Sequence, residues 1–269
     1  MVDDTRTWID VGRIGVLLFA AVFFLVAVCE GLNPARATTS SFSLRWFGNG
    51  VLFLLAWVTG RFLSFLPADA AALVAREEGW GLLNFSHWPG GAAVLLSFIT
   101  LDFIGYWEHR LYHAVPILWR LHSLHHSDPD LDVTTAIRHH PLEVLTLMPL
   151  SAAAALVFGI SPESIGLYGT IVTIAQLVQH GNVELPAGLR WLSALVVTPE
   201  LHRVHHSVDY DESNSNFSNF FPIWDRLFGT LRAEARAVLR IGLPAFSSKK
   251  FQRLDRMLAL PWSVTPIPR

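Results

Sequence analysis

Histidine is the residue type with the most distinctive spacing in this chain, because its copies fall into regular groups. Residues 109–126 hold five of the twelve histidines. The second half of that stretch reads HSLHH, and the same H-x-x-H-H spacing returns as HRVHH from His202. Neutral imidazole is the commonest metal ligand near pH 7, and it suits iron, zinc and copper. Two such groups in one chain therefore predict a metal site.

The spacing fits ligands carried on helices, where residues three and four apart share a face. The first histidine of each H-x-x-H-H group thus faces the same way as both later ones. The adjacent pair is splayed by about 100 degrees, so it can address two ions. The boxes are His109 and His113; His122, His125 and His126; and His202, His205 and His206. Eight imidazoles exceed what one ion can use, so we expect two ions.

The composition is that of a membrane protein. Of the 269 residues, 52% are hydrophobic and only 16% are charged, which is too apolar for a typical soluble enzyme. The net charge of -2 gives no reason to expect a nucleic-acid partner. The single cysteine, Cys29, excludes an internal disulfide, a thiolate zinc site and a cysteine-ligated iron–sulfur cluster. The acidic N-terminus, with no cleavage site after the first apolar run, predicts a retained anchor.

Apolar segments are expected to position the histidines at their ends. The predicted membrane segments are residues 14–29, 46–66, 89–107, 141–159 and 161–179. Every histidine except His87 then falls on one side of the bilayer, with arginines that the positive-inside rule assigns to the cytoplasm. We therefore predict an all-α polytopic bundle of four or five membrane segments with a histidine-rich cytosolic cap. His87 lies at the opposite end of the third segment and is not expected to bind metal.

Acidic residues near the boxes receive different interpretations. Asp102 lies inside the third segment, on nearly the same face as His109, and a membrane-embedded acid suggests function. We expect it to support a metal-bound imidazole. The acids at positions 128, 130 and 132 are expected to form a solvated loop without chemistry. The chain is divided into anchor helices at 1–87, a catalytic domain at 88–240 and a tail at 241–269.

The three boxes, at these separations, resemble the fatty acid hydroxylase/sterol desaturase superfamily of integral membrane oxidoreductases. RHHPLE, ending at Glu143, looks like the R-x-HP-x-E element of its sterol-desaturase branch. QHGNVEL, around His180, is similar to the family's extra histidine before the last box, and residues 216–230 are similar to its closing signature. The resemblance covers roughly residues 88–230. It implies a helical membrane protein with a non-haem di-iron centre that hydroxylates or desaturates a lipid with O2.

The resemblance also extends the ligand set beyond the eight box histidines. It adds His180 and, from the HP element, His140 in preference to His139. The residues expected to contact the ligands rather than the metal are Asp102, Glu143, Asn182 and Glu184. Zinc competes well for imidazole sites and is expected as a substituted metal. The lipid, and the choice between hydroxylation and desaturation, stay open.

The electrons for such chemistry are expected from a partner protein. No G-x-G-x-x-G follows a strand, so the chain shows no nicotinamide or flavin fingerprint. A ferredoxin or a cytochrome b5-type protein with its reductase is the expected donor. Two rival functions also use a metal site of this kind. One is a zinc-dependent intramembrane hydrolase, but the chain lacks the H-E-x-x-H motif of that class. The other is a metal transporter or sensor, which is expected to place its ligands near the bilayer midplane. The compact chain favours a bacterial inner membrane over the endoplasmic reticulum.

Overall fold

The computed structural model describes residues 4–63, 67–85 and 88–264. Within these ranges the chain is helical and contains no strand, apart from one isolated bridge between Ser207 and Ile241. The predicted all-α class is therefore confirmed. His87 lies outside the described residues, as does the end of the second predicted membrane segment at 64–66.

The α-helices of the described ranges, numbered in chain order, fall into a long set and a short set. They are α1 (Asp4–Leu32), α2 (Phe42–Leu63), α3 (Ala68–Glu77), α4 (Gly90–Ala114), α5 (Pro116–His126), α6 (Pro141–Phe158), α7 (Pro162–His180), α8 (Pro199–His205), α9 (Tyr210–Ser213), α10 (Ile223–Leu227) and α11 (Leu254–Ala259). Short 3-10 helices are Val133–Ile137, Ala187–Ala194, Pro244–Phe246, Lys249–Gln252 and Leu260–Trp262.

Four of the described helices, α1, α2, α4 and α6, are long and apolar enough to cross a membrane. The side chains of α1 show why the chain needs a bilayer, since Val16 and Leu17 are 69% and 68% exposed. Helix α7 has 19 residues but is less apolar, and it is not among these four. The protein is thus a polytopic helical bundle, at the lower of the two predicted numbers of segments.

Helices α1 and α7 pack side by side and run in the same direction. Helix α1 runs along α7, because Gly15 lies against Thr170 while Val26 lies against Gly181. Helix α2 packs on α6. Helix α3 packs against α6 through alanines of both helices and against α7 through Ile165.

One end of this bundle gathers every segment that carries a box. Helices α4 and α7 end there and α6 begins there. Proline at the first turn starts α5, α6, α7 and α8, where its missing N–H costs no hydrogen bond. The predicted helix start at Ser161 is confirmed, since its side chain accepts a hydrogen bond from the Ser164 N–H. Gly159 ends α6 in the left-handed region at φ 68°.

The loop after α5 contradicts the sequence prediction of a solvated acidic loop. Asp128, Asp130 and Asp132 are 0%, 8% and 5% exposed. Arg45 of α2 donates to Asp128 Oδ1 and to Asp132 Oδ2, both at 2.7 Å. The reason is that a buried arginine on the neighbouring helix needs counter-charges, which the local sequence around the acids does not reveal. These ion pairs fasten α2 to the histidine-bearing cap.

The end of the chain packs back on the same cap. Met257 and Leu260 form an apolar cluster with Leu52 of α2 and with Trp119 and Leu124 of α5. The tail therefore supports α5, the helix that carries three of the histidines. The division of the chain at 87 and 240 stays a prediction.

Candidate metal centre

Five histidines from three helices form the first group of potential ligands. His109 and His113 lie at the end of α4, His122 and His126 on α5, and His205 on α8. The Nε2 atoms of His113 and His126 are 3.1 Å apart, and those of His109 and His122 are 3.2 Å apart. Four of the five are buried. The histidines of this group, up to about ninety positions apart in the sequence, thus direct their ring nitrogens toward one point.

Four further histidines form a second group beside the first. They are His125 on α5, His180 at the end of α7, His202 on α8 and His206 directly after it. The Nε2 atom of His180 lies 3.1 Å from that of His125 and 2.8 Å from that of His202. The rings of His126 and His206, one from each group, stack with centroids 4.5 Å apart. The two groups are therefore immediate neighbours.

Hydrogen bonds on the outer side of the rings hold several imidazoles in place. The Nδ1 atoms of His109, His180 and His205 lie 2.9, 2.8 and 2.7 Å from the backbone carbonyls of Phe217, Gln176 and Ser215. An Nδ1–H that donates to a carbonyl leaves Nε2 unprotonated and able to bind a metal. The Nε2 atom of His205 is buried and has no hydrogen-bond partner among the described residues.

Burial favours the neutral form of five of these histidines. Burial lowers the pKa of His125, His126, His202 and His206 well below its ordinary value, and the neighbouring imidazoles act in the same direction. Burial likewise lowers the pKa of His205 to about 3. Desolvation disfavours the charged form of an imidazole, which explains the direction. The neutral ring is the form that binds metals.

The two adjacent histidines before α6 lie in different environments. His139 stacks on His125 at 4.7 Å between ring centroids, and its Nδ1 is 3.3 Å from Glu143 Oε1. His140 points away from both groups: its Nδ1 accepts from the Leu142 N–H, and its Nε2 lies 3.2 Å from the Leu258 carbonyl. The structure thus brings His139, and not His140, to the site. The four-residue spacing of His139 and Glu143 was the available sequence signal.

Among the residues expected to contact the ligands, Glu143 does so and the other three do not. Glu143 Oε1 is 2.8 Å from His122 Nδ1. Asp102 instead accepts hydrogen bonds from Trp224 Nε1 at 2.9 Å and from the Phe221 N–H at 3.1 Å. These donors reach it because residues 216–230 fold over α4. Asn182 bonds to the backbone at Arg36, and Glu184 is exposed. The expectation that Asp102 supports an imidazole is corrected accordingly.

Two neighbouring cavities lie at this site. A mostly apolar cavity of about 790 Å³ lies between α1, α2, α6 and α7, where Phe19, Phe53 and Trp57 line it. A smaller chamber of about 160 Å³ lies against the histidines themselves. His139, Glu143 and Gln176 line both. These three side chains therefore stand between the apolar cavity and the chamber at the histidines.

Fold and site together define a polytopic membrane protein with a histidine-rich centre that could hold metal. Residues 94–230 match the family model for fatty acid hydroxylase. The chain belongs to the fatty acid hydroxylase family, as the histidine boxes predict.

The chain is similar to several curated proteins, two of which are named for the oxygenation of lipids. The chain is 34% identical to the ornithine lipid hydroxylase OlsE of Rhizobium tropici over 226 residues, which are 82% of this chain and 67% of that protein. It is 32% identical to alkylglycerol monooxygenase of Homo sapiens over 66% of this chain, but it spans only 39% of that protein. It is 30% identical to the very-long-chain aldehyde decarbonylase GL1-8 of Oryza sativa subsp. indica over 55% of each chain. No solved structure gives a significant match.

Proposed function

We propose that this protein is an O2-dependent lipid hydroxylase that uses two histidine-bound iron ions. The observation that carries the proposal is the convergence of nine imidazoles, from four helices and the residue after α8, into two adjoining buried groups. Membership of the fatty acid hydroxylase family and the names of the relatives support the reaction class.

The spacing of the ring nitrogens fits metal ions. Two nitrogens that each lie about 2.1 Å from one ion, at a right angle, are about 3.0 Å from each other. The Nε2–Nε2 distances in the two groups run from 2.8 to 3.2 Å. Two unprotonated Nε2 atoms this close would repel each other without a cation between them. The donor set therefore fits two metal ions.

Each group would hold one ion. The first is assigned to His109, His113, His122, His126 and His205, and the second to His125, His180, His202 and His206. Iron bound there would supply the redox chemistry that attack on a lipid C–H bond requires and that side chains lack. His139, stacked on His125, is the candidate for a further ligand on the second ion.

The protein's own residues prepare the site for that chemistry. Glu143 orients His122 from the outer side of its ring, and carboxylates in this position raise the basicity of a ligand imidazole. Neutral imidazole ligands leave the ions their positive charge, and Glu143 supplies negative charge beside His122. Burial of both groups excludes bulk water, which protects a reactive oxidant from side reactions.

The apolar cavity provides a place for the hydrocarbon part of a lipid. Its volume of about 790 Å³ is within the range of ligand sites, and it lies among membrane helices. Val144 and Met148 of α6 line this cavity together with His139 and Glu143. A lipid lying there would reach the histidine groups from the bilayer without crossing water.

Hydroxylation is proposed over desaturation because the first relative is a lipid hydroxylase and the second a monooxygenase. The balanced reaction takes a C–H bond, O2, two electrons and two protons to an alcohol and water. The electrons are assigned to a partner, a ferredoxin or a cytochrome b5-type protein with its reductase. The protein is placed in a bacterial inner membrane with the histidines on the cytoplasmic side. The zinc hydrolase and the metal transporter or sensor are the alternatives.

Metal analysis together with lipid analysis tests the proposal. Purified wild-type protein is expected to contain two irons per chain, and membranes that contain it are expected to gain an oxygen-dependent lipid product 16 mass units heavier. His125→Ala and His205→Ala should abolish the product and lower the iron content while the chain still inserts in the membrane. One tightly bound zinc with hydrolysed lipid would favour the hydrolase, and readily exchangeable metal without product would favour the transporter.

A further inference from the structure

The C-terminal residues 241–264 carry a concentration of positive charge outside the histidine groups. They hold four basic residues and one acid, in a chain whose net charge is -2. Lys249 and Lys250 are the only two lysines of the chain, and they stand side by side at exposed positions of a 3-10 helix. We call residues 249–262 the basic segment. Charge of one sign gathered in one short segment predicts an anionic partner.

The basic segment is apolar on its inner side and charged on its outer side. Met257 and Leu260 are buried in the cluster that joins the segment to α2 and α5. The side chains of Arg253 and Arg256 are instead 65% and 62% exposed. This separation of an apolar and a basic face is typical of segments that lie at the surface of a membrane.

The positive charge of the segment is only partly balanced within the protein. Asp255 lies 3.1 Å from Arg253 and 3.8 Å from Arg256. Lys249 and Lys250 form no ion pair with any residue of the described ranges, and the Lys250 Nζ atom lies over an aromatic ring, 4.8 Å from its centroid. The segment thus keeps a net positive charge on its exposed face.

Two contacts hold the basic segment at the level where membrane helices begin. Met257 packs on Gly48 of α2, where an added Cβ would lie 3.1 Å from the Met257 Sδ atom. The ring of Trp262 lies 5.9 Å from that of His140, which is the N-cap of the apolar helix α6. Trp262 is nonetheless 69% exposed. Tryptophan is enriched at the boundary between lipid and water, so this exposed ring marks that boundary.

We propose that the basic segment binds anionic lipid head groups at the surface of the bilayer, with Lys249 and Lys250 facing the head groups and Trp262 in the interface. Basic segments next to membrane helices are attracted to anionic lipids in this way. The exposed indole beside the start of α6 favours a lipid surface over a soluble acidic protein, because the bilayer that surrounds α6 would cover the ring. This surface goes beyond the proposed function and does not depend on bound metal.

Amide hydrogen exchange in nanodiscs of two lipid compositions tests the proposal. The full-length protein is placed in phosphatidylcholine alone or in an about two-to-one mixture of phosphatidylcholine and phosphatidylglycerol. In wild type, the amides of residues 249–258 are expected to exchange at least about fivefold more slowly in the anionic nanodiscs, because bound head groups oppose local opening. High salt should remove the difference by screening the charges.

A matched pair of double variants locates the effect. Lys249→Gln with Lys250→Gln should reduce the difference between the two nanodiscs to less than about twofold, because the charge that attracts the head groups is lost. Arg236→Gln with Arg240→Gln removes the same charge from exposed positions outside the basic segment and should keep the wild-type difference.

Three results would overturn the proposal. The first is equal exchange of wild type in the two nanodiscs, and the second is a difference that survives in the double lysine variant. The third is an equal loss in the arginine control, which would make total charge the cause. Slower exchange on addition of an acidic electron-donor protein, without any effect of phosphatidylglycerol, also overturns it and assigns the segment to that protein.

Discussion

Glu143 Oε1 lies 2.8 Å from His122 Nδ1, and this contact ties the start of α6 to the first histidine group. The same oxygen is 3.3 Å from His139 Nδ1. One carboxylate therefore orients rings that face two different groups of potential ligands.

Glu143→Gln should weaken metal binding without unfolding the protein. Glutamine keeps the volume but loses the charge that polarises His122, and loss of such an outer contact typically costs about 10–100-fold in metal affinity or activity. The measurement is iron per chain after dialysis against a chelator. Glu234→Gln, the same change at an exposed acid, is the matched control and should hold iron as wild type does. Equal iron retention in the two variants would contradict the role of Glu143.

Replacing His139 and His140 one at a time should separate a site residue from a structural one. His139→Ala is expected to lower lipid oxidation at least about tenfold, because the ring stacks on His125 and contacts Glu143. His140→Ala should keep its iron and lose stability, since it removes the cap of α6 and the contact with Leu258. Iron content and thermal midpoint distinguish the two, and the reverse pattern would restore the sequence-based preference for His140.

The buried pair of Arg45 and Asp128 should contribute strongly to stability. Asp128→Asn leaves Arg45, which is 1% exposed, short of one counter-charge. Breaking a buried ion pair costs about 3–5 kcal/mol, and we expect the lower figure because Asp132 remains. Chemical unfolding in detergent measures this. Glu163→Gln breaks the exposed ion pair with Arg76 and should lower the free energy of unfolding by no more than about 1 kcal/mol. Similar losses of stability in the two variants would contradict the larger contribution of the buried pair.

The metal-free protein should lose stability as the pH falls. The folded-state pKa of His205, about 3, lies below the unfolded value near 6.5, and the pKa of His202 is lowered in the same direction. Below about pH 6.5 the unfolded chain takes up protons that the folded chain cannot, so acid favours unfolding. The thermal midpoint of chelator-treated protein is expected to fall between pH 7 and pH 5. A flat profile over that interval would show that these rings titrate normally.

Filling the apolar cavity should reduce lipid turnover while the iron stays bound. Gly60 lines the cavity on α2, where an added Cβ would lie 3.0 Å from Val144 Cγ1. Gly60→Phe is expected to lower lipid oxidation at least about tenfold, by occupying the space of the hydrocarbon chain. Gly50→Phe on the same helix is the control, because no atom lies within 4 Å of a Cβ there. Equal activity of the two variants would contradict the binding of the lipid in this cavity.

The sequence alone determined the elements and the metal-binding residue types. Period and composition identify apolar helices, and residues three or four apart must share a helical face whatever surrounds them. The side chains of His122 and His126 are therefore expected on the same helical face from the sequence alone. The same local rules predicted the capped start of α7 at Ser161. The family follows from the boxes, because their spacing is itself a local feature.

Only the tertiary structure decided which side chains from different segments meet. His139 and His140 are adjacent in sequence, and the start of α6 turns one toward His125 and the other toward Leu258. Asp102 does not make its predicted contact with an imidazole, because its carboxylate accepts a hydrogen bond from the Phe221 N–H instead. The acids after α5 are buried beside an arginine that lies more than eighty positions away in the sequence. Contacts over such separations depend on packing, which no local pattern encodes.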